Sequence, residues 1–280
     1  MTAAAAPESF SMGRVISRLF GVLSRNIVLF LLLSALLVGL PTGVFGYIQL
    51  SVMTPLTGAS PPGDPSALMS NLFSPLRLGI GAAAWLASVI GNAVLQGAVI
   101  HATVSDLSGR RPTFGECLGT GFRFFLPLVV IGLIFAVCFV FGLLIFIVPG
   151  VLLALAWCVA APAEVMERSG VFGSFARSAD LTRNHRGAIL GLAVALVFSE
   201  WVLQSLISGF VGVGMGAGAS AAPGLASGAL QSLFVFQTIT NLVLATLFAS
   251  VAQAGVASVY FELRQAKEGI GAEQLAAVFD

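Results

Sequence analysis

Apolar residues fall into six long runs along the chain. The first, Ile27 to about Leu50, carries no charge over about 24 residues. At 1.5 Å of rise per helical residue, that length crosses about 30 Å of hydrocarbon. The others run over about 78–104, 124–148, 150–165, 187–212 and 230–261. Pro41 and Gly43 predict a kink in the first run. The fourth run is near the short end of the spanning range. Only Pro149 and Gly150 separate it from the third, so they predict a tight turn joining antiparallel neighbours. That pair either crosses the membrane or forms a re-entrant hairpin. The sixth run is longer than a span requires, so its end should emerge as helix.

The polar stretches between the runs are of two kinds. Residues 51–76 and 213–229 are rich in Gly, Pro, Ser and Ala and nearly free of charge, and read as loops. The alternate stretches are basic and amphipathic. Ser9 or Ser11 can cap a helix through Ser24 with Phe10, Val15, Leu19, Phe20 and Leu23 on one side and Arg14, Arg18 and Arg25 among them. This reads either as an interfacial helix or as a loose positive flank that orients the first span. Pro112–Phe125 can open a second such helix, with Thr113 as cap and Glu116 three residues on. Within 166–186, Phe172, Phe175, Ala176 and Ala179 repeat at i, i+3, i+4 and i+7, with Arg177, Ser178 and Asp180 beside or opposite them. That stripe predicts a helix lying on a membrane. Asn184 is a plausible terminator.

Charge then fixes orientation. With six spans, 12 of the 13 Lys and Arg residues fall on one side, Arg77 being the exception. The positive-inside rule places that side, and both termini, in the cytoplasm. If the fourth run failed to cross, Arg168, Arg177, Arg183 and Arg186 would change sides, so the bias argues for crossing. Charged residues make up only 9% of the chain, against about 25% in soluble domains. The predicted fold is therefore all-α and polytopic, with six transmembrane helices and two or three cytoplasmic interfacial amphipathic helices. Residues 1–9 are expected to be disordered, 10–262 to form the membrane domain and 263–280 a cytoplasmic tail. No small-residue cleavage site follows the first apolar run, so a cleaved signal peptide is not expected.

Polar residues inside the spans are the chemistry candidates. Glu200 lies near the middle of the fifth run, where an ionised acid costs about 2.5–3.5 kcal/mol or more. It should face the bundle interior. There it serves either as a proton or cation site or as a packing lock with Asn92, Gln96, Gln204, Gln237 or Asn241. Asn92 and Gln96, four apart, should point inward together. Ala84, Ala87, Gly91 and Ala98 give that helix a small-residue face for close packing. Glu164, Glu167, Arg168, Arg177, Asp180 and Arg183 form an interfacial charge cluster, in which the two glutamates read as partners of Arg168 or Arg177. Paired carboxylates can also perform acid–base work. Cys117, Cys138 and Cys158 are an odd count and read as small apolar residues. His101 and His185 lack metal-ligand spacing, and no P-loop, G-x-S-x-G, HExxH or CxxC motif is present. No cofactor, metal or nucleic acid is expected. The expected partners are membrane lipids, with anionic headgroups on the basic side, and a membrane protein or a second copy.

Pro149, Gly150, Pro162, Glu167, Arg177, Ser178 and Leu181 fall in an order that resembles the membrane domain family of bacterial glycerophosphoryl diester phosphodiesterases and its YciC-like relatives. Tyr260, Leu263, Arg264, Glu268 and Gly269 are similar to that family's closing signature. The resemblance implies a bacterial inner-membrane protein with six spans. The family name comes from proteins in which such a domain precedes a soluble phosphodiesterase barrel. A chain of 280 residues leaves no room for that barrel beside six spans, so the enzyme activity is not expected here. The function implied is non-catalytic: lipid or partner binding in envelope assembly or lipid handling. The alternative is a small transporter or channel subunit working through Glu200.

Overall fold

The structure is a computed structural model that describes residues 10–57, 73–219 and 223–268, with side chains over 10–48, 73–213 and 235–268. The expectations for residues 1–9 and for 269–280 fall outside the described residues. The described elements are all helical: α1 Met12–Ser34, a π-helical turn Ala35–Gly39, α2 Leu40–Thr57, α3 Pro75–Leu107, α4 Phe114–Ile145, α5 Ile147–Trp157, α6 Ala160–Glu167, α7 Gly170–Thr182, α8 Arg186–Ala219 and α9 Pro223–Glu268. Six stretches are long and apolar enough to cross a membrane: Met12–Ile48, Pro75–Leu107, Phe114–Ile145, Ile147–Glu167, Arg186–Val213 and Val235–Glu268. This is an all-α polytopic membrane protein.

Prolines mark several helix starts. Pro75, Pro149, Pro162 and Pro223 all stand within the first three residues of α3, α5, α6 and α9. There the missing N–H has no intrahelical acceptor to lose. This moves the turn expected at Pro149-Gly150. The chain reverses at Phe146, whose backbone is extended (φ −160°, ψ 148°), and Pro149 lies inside the first turn of α5. Gly150 serves packing instead. A Cβ there would stand 2.9 Å from the Leu143 nitrogen, and one on Gly142 would stand 2.9 Å from the Gly150 Cα. The loops expected over 51–76 and 213–229 are shortened, because α2 runs to Thr57, α8 to Ala219 and α9 starts at Pro223.

The chain divides into two compact units. One comprises residues 1–34, 93–199 and 247–280, the other residues 35–92 and 200–246. In the second unit, the kink expected near Pro41 is the π-helical turn just before it. Proline cannot donate to the carbonyl four residues back, and its ring crowds that carbonyl. The carbonyl is that of Leu37, and it lies against Gly91, where a Cβ would come within 2.0 Å of the oxygen. Gly91 therefore belongs to the small-residue face as expected, and its job is to admit a displaced carbonyl.

In the first unit, Gly97 and Gly121 bring α3 and α4 together. A Cβ on Gly121 would stand 2.4 Å from the Val94 carbonyl oxygen. α1 bends at Asn26 (φ −118°, ψ 18°). The segment before the bend is the amphipathic helix read from Phe10, Val15 and Leu19. Val15, Leu19 and Val22 are buried against the protein, while Ile16 and Phe20 are exposed. The Asn26 amide fills the gap left by the bend by donating to the Val22 carbonyl (3.1 Å) and to Asp106 (2.8 Å). The capping box at α4 forms as expected: Glu116 N–H donates to Thr113 Oγ1 (3.4 Å) and Thr113 N–H to Glu116 Oε2 (3.2 Å). α4 then continues without a break into the third span.

Candidate functional site

The short fourth span is broken, and the first unit's polar chemistry is built around the break. α5 ends at Trp157 and α6 begins at Ala160, with Pro162 two residues on in its first turn. At the junction the Ala156 carbonyl and the Val159 N–H lack ordinary helical partners. Ser178 of α7 donates to the Ala156 carbonyl (2.8 Å) and accepts from the Val159 N–H (3.2 Å), and Thr182 donates to the same carbonyl (3.3 Å). Irregular backbone at membrane depth persists only where protein groups satisfy it. This requirement sets the face that α7 buries. Its buried face is Ser174, Phe175, Ser178, Leu181 and Thr182, while Phe172 is 79% exposed and Ala176 is exposed.

Two groups of ion pairs lie beside the break. In the first, Glu167 accepts from Arg177 Nε (2.9 Å) and from the Tyr260 hydroxyl (2.7 Å). Arg177 also pairs with Glu268, and Arg264 binds Glu268 at 3.0 Å. Lys267 pairs with Asp180 at 2.6 Å and donates to its carbonyl. The Asp180 carboxyl is held below its usual range, first by the Lys267 hydrogen bond and then by the nearby charges of Lys267, Arg177 and Arg183. In the second group, Glu262 is only 1% exposed. It accepts from Arg14 Nε (2.7 Å) and from Arg18 Nη1. Arg18 lies over the Phe261 ring as well, 4.9 Å from its centroid. A related pair, Arg25 with Asp106 (2.5 Å), flanks the Asn26 bend. Together these contacts tie α1, α6, α7 and the end of α9 into one seam.

The candidate residues divide accordingly. Glu167, Arg177 and Asp180 are in the seam. Glu164 is buried but bonds Ser174 (2.6 Å) in place of an arginine. Arg183 is exposed and caps α7 through its backbone. Among the intramembrane candidates, Gln204, Gln237 and Asn241 come together: Gln204 and Gln237 donate to Asn241 Oδ1 at 2.7 and 3.1 Å. Asn92 is exposed and donates to the Ser88 carbonyl of its own helix (2.8 Å), so it does not turn inward. Gln96 is half-buried. Glu200 is exposed and has no hydrogen-bond or ion-pair partner among the described residues, contrary to the interior position expected of it. A backbone acceptor within one helical turn satisfies the Asn92 amide, which removes its need for the interior.

Glu262 and Asp106 were missed from sequence. Arg14 and Arg18, one helical turn apart, announced a need for an acid, but nothing local named one nearly 250 residues away.

A second feature lies at the basic ends of α3 and α4. A cavity of about 560 Å³ is lined by Arg110, Arg111, Arg123 and Arg168, with His101, Ser105, Ser108, Thr120 and Glu116 among the remaining walls. Arg111, Arg123 and Arg168 have no carboxylate partner among the described residues. Glu116, the one acid in the lining, is engaged in the α4 capping box. Arg123 and Arg168 both lie over the Phe124 ring, with guanidinium carbons 5.8 and 5.9 Å from its centroid. Arg168 is held there by a left-handed backbone (φ 50°, ψ 38°) at the C-terminus of α6, its N–H donating to the Glu164 carbonyl (2.9 Å). That conformation normally selects glycine, and arginine occupies it at a cost of about 1–2 kcal/mol. Arg168 thus takes part in neither glutamate pair; it belongs to the cavity. Among the described residues there is no cluster of three or more His, Cys, Asp or Glu placed to hold a metal.

Comparison with known proteins gives relatives of matching character. Over 129 residues the chain is 29% identical to a UPF0259 membrane protein of Pectobacterium carotovorum, a stretch covering 46% of this chain and 50% of that protein. UPF0259 membrane proteins of Yersinia pestis and Yersinia pseudotuberculosis are 28% identical over 133 residues, covering 48% of this chain and 52% of each. The chain spans about half the length of the curated relatives it matches. No protein-family model matches it, and no solved structure does. The relatives' names describe membrane proteins and assign no activity, and none of these names carries the phosphodiesterase label. The chain is similar in part to a group of bacterial membrane proteins of unassigned function.

Proposed function

We propose that this chain is a non-catalytic protein of the bacterial inner membrane, with both termini cytoplasmic, that binds anionic lipid headgroups in envelope assembly or lipid handling. The observation that carries this reading is the cavity lined by Arg110, Arg111, Arg123 and Arg168, with Glu116 as its one acid. Basic pockets between spans on the cytoplasmic side are suited to phosphate headgroups, and surface arginines there contribute about 1 kcal/mol each. The positive-inside bias supports the orientation. The exposed Phe172 and Ala176 on α7 give an apolar edge beside the charges, as an interfacial helix requires. The residues on which the chain resembles the phosphodiesterase membrane domain family, among them Glu167, Arg177, Ser178 and Tyr260, fall in the seam and the helix break. They support a common membrane scaffold and offer no catalytic group.

Native mass spectrometry of the protein released from nanodiscs made directly from its own membrane tests the reading. A stoichiometric phospholipid adduct is expected, and a bare protein would overturn it. The transporter alternative rests on Glu200, which is exposed and has no hydrogen-bond or ion-pair partner among the described residues. Proton-coupled flux in liposomes that is lost in Glu200→Gln would restore that alternative.

A further inference from the structure

The lipid reading leaves open which anion the cavity is built for. Three features narrow it. First, Arg110, Arg111, Arg123 and Arg168 converge on one space that holds a single carboxylate, Glu116, which is engaged in the α4 capping box. A single phosphodiester carries one negative charge and leaves most of that positive charge unmatched. Second, Arg123 and Arg168 both approach the Phe124 ring, so two like charges are gathered about one side chain with no carboxylate partner among the described residues. An anion near both relieves their mutual repulsion, and guanidinium forks bind phosphate oxygens two at a time. Third, the strained backbone of Arg168 keeps an arginine where glycine is favoured. Strain of this kind is retained where a side chain has a task that its position alone provides. The cavity volume lies within the range of small-ligand sites, roughly 300–1,000 Å³, which is room for more than one phosphate group.

Resting on the lipid-binding reading, we infer that the cavity selects a ligand bearing two phosphates close together, with Arg168 as the clamp that distinguishes it from a single phosphodiester. The hydroxyls of Ser105, Ser108 and Thr120 line the same space. Those of Ser108 and Thr120 donate to carbonyls of their own helices, at 2.8 and 2.9 Å, which leaves the arginines as the principal donors to the ligand. The two-phosphate group can come from a lipid, as in cardiolipin or a polyprenyl diphosphate, or from a soluble diphosphate.

The test uses the full chain in nanodiscs of zwitterionic phosphatidylcholine, titrated separately with phosphatidylglycerol, cardiolipin, a polyprenyl diphosphate and inorganic pyrophosphate, and read by native mass spectrometry. At least one two-phosphate lipid is expected to bind about tenfold or more tighter than phosphatidylglycerol. Arg168→Gly is the decisive variant. It keeps the left-handed backbone that glycine favours and removes the whole arginine side chain, so it should fold at least as well as the parent and lose the tenfold preference. Arg111→Gln/Arg123→Gln should lose it as well. Displacement of the lipid by pyrophosphate at comparable concentration would support the two-phosphate chemistry and assign its source to a soluble diphosphate. Retention of the lipid would support it with a lipid source. Equal binding of phosphatidylglycerol and both two-phosphate lipids would overturn the inference while leaving the lipid reading intact. Binding of no anionic lipid would overturn both.

Discussion

The ion-paired seam and the basic cavity are built from the same residue types within one compact unit, yet they are opposites. In the seam each of Arg14, Arg18, Arg177, Arg264 and Lys267 meets a carboxylate, and Glu262 is sealed from solvent between two guanidiniums. In the cavity Arg111, Arg123 and Arg168 meet none. A charge answered by the protein fixes one segment to another. A charge left unanswered, and held in place at a backbone cost, is available to something outside the chain. By this comparison the seam is structural and the cavity is the site.

The comparison breaks most visibly at Glu262. Glu262→Ala strands two arginines, and it should destabilise the protein by about 2–3 kcal/mol; the 3–5 kcal/mol of a fully buried pair is the upper bound, since Arg14 and Arg18 keep partial access to water. Reversible unfolding in mixed micelles measures it, and lipid binding by the folded fraction should be unchanged. Next comes the helix break. Ser178→Ala leaves the Val159 N–H without its acceptor and removes one donor from the Ala156 carbonyl, a loss of about 1–2 kcal/mol in the same assay. Arg168→Gly has the opposite sign. Relief of the left-handed strain should stabilise the protein by about 1 kcal/mol while anion binding falls. Seam variants therefore lose stability and keep binding, and the cavity variant does the reverse.

The smallest effect concerns pH. The Asp180 carboxyl is held below its ordinary value in the folded state, chiefly by Lys267. Its contribution is present above the unfolded carboxyl pKa of about 3.9 and is lost as pH falls through the lower folded value. The Asp180→Asn variant should fall slightly short of the parent at neutral pH and match it only in the acid limit, below the lowered folded value. Because Asp180 is largely exposed, a small difference is expected, and a large one would mean that the seam is more dehydrated than its geometry indicates.

What could be read from sequence was what is local or periodic. The six spans follow from run length, and the Thr113–Glu116 box from a three-residue spacing that its own helix enforces. Proline positions were legible, but their meaning at Pro149 was not. The same residue suits a turn or a first helical turn, and only the approach of Gly142 to Gly150 decides between them. The α7 stripe named Phe172 and Ala176 of the exposed side but not the buried face, because apolar periodicity cannot register that a broken neighbour needs hydroxyls. Ser174, Ser178 and Thr182, spaced by four, were the overlooked signal. Glu200 and Asn92 were expected inside on the general cost of polar groups in a membrane, yet both lie exposed. The cavity draws on Arg110, Arg123 and Arg168 from three separate stretches, and no spacing rule joins them.

The most direct test is thermal unfolding of the full chain in phosphatidylcholine nanodiscs, with and without cardiolipin, for the parent and for Arg111→Gln/Arg123→Gln/Arg168→Gln. A ligand that binds only the folded state raises Tm by mass action. The parent should unfold at a higher temperature when cardiolipin is added. The triple variant, freed of its unanswered charges, should start at a higher Tm and not respond. An equal rise in both proteins would contradict the account, because the stabilising anion would then be bound somewhere other than the cavity.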